Sequence, residues 1–158
     1  RLLQPFGCEI IANDIKDYSD FYAQYDVKAV DVAELLERSE VLSIHLQVTE
    51  KTRWFYDAAT LDRLRPDCVL INTARGRIID EAALRERLMD GRLFGAAIDA
   101  FEVEPPEDDV LLNLPNFMAT PHIGAGSEEA RWTMGSTAIA GLTDNFIPQP
   151  GVFPFEDR

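Results

Sequence analysis

The stretch Gly95-Ala96-Ala97-Ile98-Asp99-Ala100-Phe101-Glu102-Val103-Glu104-Pro105-Pro106 sets a small apolar run against two prolines. Residues 95–98 have the composition of a short buried strand. Pro105 and Pro106 have no backbone N–H to give to a ladder or a helix, so Glu104 falls on a stiff loop at the strand's end. In an open α/β sheet, ligands bind at the carboxyl ends of the strands. Arg75 follows the apolar run 68–72 and His122 follows 116–119, so each stands at a similar edge. A cation, a carboxylate and an imidazole at three successive strand ends make a candidate acid/base site.

The rest of the chain alternates in the same way. Further strands are predicted at 8–12, 27–30 and 41–46. Asp31, Asp57 and Asp80 each stand where a side-chain cap starts a helix, and 108–112 reads as one helical turn. After Asp80, Leu84 and Leu88 share a face, and Glu81 and Arg85 are spaced to pair. A long helix begins at Ser127, with Glu128 and Glu129 in the first turn and Ala130, Met134, Ala138 and Leu142 along one face. Trp132 lies off that face and is a candidate for a subunit contact or, equally, for a contact with a further domain of the same chain. Strands alternating with helices imply a parallel sheet covered on both faces, so the fold class is α/β, a doubly wound parallel sheet.

A chain of 158 residues can bury one domain-sized core. The balance of 15 Lys+Arg against 28 Asp+Glu, a net −13, argues against nucleic-acid or anionic-membrane partners. It leaves room for a small anionic substrate gripped by a local arginine. Cys8 and Cys68 sit in apolar runs and read as buried thiols, and without a disulfide framework a reducing cytoplasm is expected. No run is long enough to span a bilayer. With no H-x-x-x-H, no C-x-x-C and no EF-hand spacing, no metal is expected. The absence of G-x-S-x-G removes a serine-hydrolase reading.

Asp14 ends the first strand, where an acid can bind both ribose hydroxyls of an adenosine and repel a 2′-phosphate; equally, it can serve as a turn residue. Arg75 suits a two-pronged grip on a carboxylate, and Gly76 would let a ligand near the backbone, although a surface arginine is the local alternative. His122 can gain and lose a proton near neutral pH, and a carboxylate beside it would fix its tautomer. His45 closes a strand without an evident partner and reads as a packing residue or as one that supports a residue of the site. Glu102 reads as a solvated acid.

Three segments together, Asn72-Thr73-Ala74-Arg75-Gly76, Asp99 to Pro106, and Thr120-Pro121-His122-Ile123-Gly124-Ala125, resemble the signatures of the D-isomer-specific 2-hydroxyacid dehydrogenases. The resemblance covers essentially the whole chain and implies a Rossmann-like NAD-binding domain. It implies that Arg75 holds the substrate carboxylate, that His122 is the general acid/base on the C2 oxygen, and that Glu104 pairs with the imidazolium. It implies cofactor contacts from Asp14, Thr73, Ala74, Arg75, Asp99, His122, Gly124 and Ala125, with Asp99 on the nicotinamide carboxamide and Asp14 favouring NAD over NADP. The partners implied are a small 2-hydroxy or 2-oxo acid and, for the full-length protein, a second copy in a homodimer.

The family's glycine-rich turn and the strand before it have no counterpart in these residues. Residues 1–146 are accordingly expected to be a partial dinucleotide-binding domain, incomplete at its N-terminal side. Residues 147–158 would be a tail returning toward an absent substrate domain, the whole being a portion of a longer polypeptide. The leading function is hydride transfer between NAD(H) and a 2-hydroxy/2-oxo acid. An NAD(H)-sensing binding protein of the dehydrogenase-like corepressor type, or a catalytically inactive fragment, remains the alternative.

Overall fold

In the computed structural model, which describes residues 2–144, a single 3-10 turn at Gln4–Phe6 comes first. Gly7 closes it at φ 65, a left-handed conformation that glycine adopts without a Cβ penalty. Then follow β1 (Ile10–Ala12), α1 (Ser19–Tyr25), β2 (Val27–Ala29), α2 (Val32–Arg38), β3 (Val41–Ile44), α3 (Ala58–Leu61) and β4 (Val69–Asn72). After a 3-10 turn at Gly76–Ile78 come α4 (Glu81–Met89), β5 (Gly95–Ile98), α5 (Asp109–Leu112), β6 (Phe117–Ala119) and α6 (Glu128–Asp144).

Local chemistry explains these starts. Asp31, Asp57, Asp80 and Asp108 each accept the backbone N–H of the residue three positions on, satisfying a donor that the first helical turn leaves unpaired.

The strands are parallel, in the orders β1-β2 and β3-β4-β5-β6. In the larger sheet Ile44, Asn72, Ile98 and Ala119 form one row at the carboxyl ends. β1 and β3 each end a sheet instead of pairing with each other, the place where a dinucleotide fold has a central strand. The architecture is Rossmann-like α/β.

Period-two alternation decides which side chains are buried. Leu42, Ile44, Leu70 and Ile98 join Leu36, Leu61, Leu84 and Leu111 in one apolar cluster, while Val41 and Met118 stay exposed. Truncating a core leucine of this kind typically costs about 2–5 kcal/mol. Across α3 and α4, the buried Arg87 donates to Asp62 at 3.1 and 2.8 Å, to the Ala58 carbonyl at 2.9 Å and to the Ala83 carbonyl at 3.2 Å.

Two expectations change. Cys68 is buried, and that burial pushes its thiol up to about 11, but Cys8 is exposed, because it lies before β1 begins at Ile10. Arg85 turns to Asp108 at 2.6 Å instead of pairing with Glu81 along the helix, because Glu81 is engaged elsewhere.

The chain forms two compact units that meet in sequence at Pro121 and His122. The expected boundary at residue 146 and the tail 147–158 lie outside the described residues. Among the described residues no helix is long and apolar enough to cross a membrane.

Candidate functional site

Asn72 is the last residue of β4 and is fully buried. Its side-chain oxygen accepts the Ala74 N–H at 3.0 Å and its amide nitrogen donates to the Arg75 carbonyl at 2.8 Å. A buried amide satisfied in this way holds the turn rigidly, since moving the turn would strand both groups. Thr73 and Arg75 are thereby presented at the surface, with Ala74 half-buried. The Arg75 guanidinium donates to the Ala74 carbonyl at 2.6 Å.

Gly76 follows, and the reason for glycine is not the one expected. A Cβ here would lie 2.0 Å from the carbonyl carbon of Phe101 and 2.3 Å from the nitrogen of Glu102. What approaches this glycine is the protein's own loop. The turn bearing Arg75 and the loop bearing Glu104 are thus in main-chain contact.

In that loop, Glu104 is exposed and its Oε1 accepts the Phe101 N–H at 3.0 Å. Glu102 is no solvated acid: its N–H donates to Glu81 at 2.7 Å and its carboxylate faces Arg77 at 3.5 Å. At the head of the loop Asp99 is buried, donates its N–H to the Asn72 carbonyl at 2.9 Å and accepts the Thr120 hydroxyl at 2.5 Å. Asp99 and Thr120 close a small pocket lined mainly by Ile71, Thr73, Ala97 and Met118. Apolar walls suit a flat ring, and a carboxyl oxygen, which accepts hydrogen bonds, suits an amide N–H₂. These residues fit a nicotinamide.

Asp14 lies just past β1, exposed, and its Oδ1 accepts the Lys16 N–H at 2.9 Å. His45 is exposed and its Nε2 lies 2.9 Å from the Ser43 hydroxyl; it has a partner and is not a packing residue. Ser43 lies on the solvent-facing alternation of β3, and His45 follows just past the strand.

His122, Gly124 and Ala125 belong to the second unit and are all exposed. His122 is held at φ 52. A side chain other than glycine costs about 1–3 kcal/mol in such strained backbone, and residues of this kind cluster at functional sites. The Gly126 N–H then closes a turn on the Ile123 carbonyl at 2.7 Å before α6.

The first unit therefore gathers Thr73, Ala74, Arg75, Asp99 and Glu104 at the carboxyl edge of β4 and β5. Three residues with no expected part in the site hold them: Asn72, Thr120 and Glu81, the last expected only to pair with Arg85. Only Asn72 carried a signal, a lone polar residue closing an apolar strand. No group of three or more metal-ligating side chains occurs among the described residues.

A family model described as "D-isomer specific 2-hydroxyacid dehydrogenase, NAD binding domain" matches residues 1–124. The hydroxypyruvate reductase of Thermotoga maritima is 40% identical over 134 residues, which cover 82% of this chain and 42% of that protein. A glyoxylate reductase structure from Paecilomyes thermophila superposes with a TM-score of 0.83 at 32% identity, over 89% of this chain and 43% of that one. A second structure is an NADPH-dependent glyoxylate/hydroxypyruvate reductase from Sinorhizobium meliloti, in complex with NADP and malonate. It superposes with a TM-score of 0.81 at 29% identity, over 90% of this chain and 44% of that one. The chain spans less than half the length of each of these relatives.

Proposed function

The chain belongs to the D-isomer specific 2-hydroxyacid dehydrogenases, and from that membership we propose that it is the cofactor-binding and acid/base part of an NAD-dependent oxidoreductase acting on a 2-hydroxy or 2-oxo acid. The matched family domain binds NAD, and when bound the nicotinamide supplies or receives the hydride.

The chain's own residues do the rest. Arg75 grips the substrate carboxylate with the two-pronged geometry of a guanidinium. In reduction His122 gives a proton to the C2 oxygen, and in oxidation it takes one back. Glu104 holds the imidazolium that donates in reduction and is formed in oxidation. Asp99, buried against Thr120, accepts from the carboxamide and orients the ring. Thr73, Ala74, Gly124 and Ala125 offer main-chain contacts. Asp14 takes the ribose hydroxyls and selects NAD over NADP.

The observation that carries this reading is the close approach of Gly76 to the Phe101–Glu102 peptide. It seats a carboxylate-binding arginine against a loop bearing an acid, beside a pocket suited to a nicotinamide. The full-length protein is proposed to be a cytoplasmic homodimer, with the exposed Trp132 at the subunit contact.

Oxidation of NADH by the native full-length protein with hydroxypyruvate or glyoxylate is the test. Turnover that disappears in His122→Ala, with NADH affinity retained, is expected. Tight NADH binding without reduction of any 2-oxo acid would replace the enzyme with a sensor.

A further inference from the structure

Glu81 stands in the first turn of α4, a helix already capped by Asp80, which accepts the Ala83 N–H at 3.0 Å. Glu81 instead reaches away from its own helix. Its Oε1 accepts the N–H of Glu102, 21 residues further on, at 2.7 Å. The place is a poor one for a carboxylate. Glu81 is half-buried, and Glu102, Asp108 and Asp80 face it with like charge. The nearby cations are committed: Arg85 to Asp108 at 2.6 Å and Arg77 to the Glu102 carboxylate at 3.5 Å. An acid kept in such surroundings gains its hold on the main chain of the loop, a charge-assisted bond.

The peptide it holds is the one that Gly76 touches. A Cβ on Gly76 would meet the Phe101 carbonyl carbon at 2.0 Å and the Glu102 nitrogen at 2.3 Å. One residue earlier, the Phe101 N–H donates to Glu104 at 3.0 Å. Two consecutive N–H groups thus join Glu81, the loop and Glu104 in a continuous chain of bonds.

We infer that Glu81 is a positioning residue for the acid/base site: by accepting the Glu102 N–H beside Gly76, it seats the loop that orients Glu104 against the turn that carries Arg75. This deepens the function proposed above and rests on it.

The test uses the native full-length protein, with NADH and hydroxypyruvate, across a pH series. Glu81→Asp keeps the charge and shortens the reach; Glu81→Gln keeps both reach and an acceptor oxygen. Glu81→Asp should lower kcat about tenfold to a hundredfold, the scale of an ångström-sized displacement. It should also shift the alkaline limit of reduction in the same direction as Glu104→Gln, without adding to it in the double variant. Glu81→Gln should restore both rate and limit. A Glu81→Asp profile that coincides with the wild type overturns the inference, as does a Glu81→Gln variant no better than Glu81→Asp. Amide exchange at Glu102 separates this outcome from failure of the functional reading. Exchange should quicken at least about tenfold in Glu81→Asp and stay slow in Glu81→Gln, whatever the protein turns over; unchanged exchange shows that Glu81 does not hold the loop.

Discussion

The buried side-chain amide of Asn72 bridges the turn that follows it, donating to the carbonyl oxygen of Arg75 at 2.8 Å. Strand β4 thereby reaches three residues beyond its ladder and fixes the main chain that carries a guanidinium. Asn72→Ala removes that donor and the acceptor for the Ala74 N–H together. The expected loss of stability is about 1–3 kcal/mol, the usual penalty for unpairing buried polar groups. KM for the 2-oxo acid should rise more than the Kd for NADH. Thermal unfolding and steady-state kinetics on the same preparation check both.

Gly76→Ala places a methyl group inside the Phe101–Glu102 peptide, so the two loops must part. The backbone is the obstacle, and no side-chain rotation relieves it. A lower unfolding temperature is expected, with a fall in kcat/KM on the order of a hundredfold. An Ala variant with wild-type kinetics would show that the loop contact is irrelevant to the site.

Arg75→Lys preserves the charge and loses the fork. KM for the 2-oxo acid should rise about tenfold or more, the scale of one charged hydrogen bond, while NADH titration gives a Kd within about twofold of the wild type. An equal weakening of both ligands would assign Arg75 to the cofactor instead.

Glu104→Gln keeps the shape of the side chain and removes the charge that holds the imidazolium. Reduction consumes that imidazolium, so its alkaline limit should move to lower pH. Rates of NADH oxidation across pH 6 to about 10 would show the shift.

Acid should unfold this domain through its aspartates. The Arg87 guanidinium, by direct hydrogen bonding, holds Asp62 below its ordinary 3.8, and the Thr60 N–H does the same for Asp57. Groups depressed on folding contribute stability that is complete above the unfolded value and is lost as pH falls through the lower folded one. The denaturation midpoint should therefore be level above roughly pH 5 and fall below pH 4. Asp62→Asn should be less stable at neutral pH, because the buried Arg87 loses its counter-charge, and its pH dependence below 4 should be shallower.

Residue order alone places most of the elements and their edges. Helix starts at Asp31, Asp57 and Asp80 follow from a side chain reaching its own backbone three residues on, and the strands at 69–72 and 95–98 from short apolar runs. These are local interactions, so residue order suffices to place Arg75, Asp99 and Glu104 at strand ends. What each side chain does with groups far along the chain follows from packing and not from residue order. Glu81 and Arg85, spaced to pair, instead bind Glu102 and Asp108, and Gly76 admits a peptide 25 residues away. Cys8, in an apolar run like Cys68, is exposed. A buried hydrogen bond needs its partner within about 3 Å, and only the packing of the sheet brings those distant main-chain groups so close.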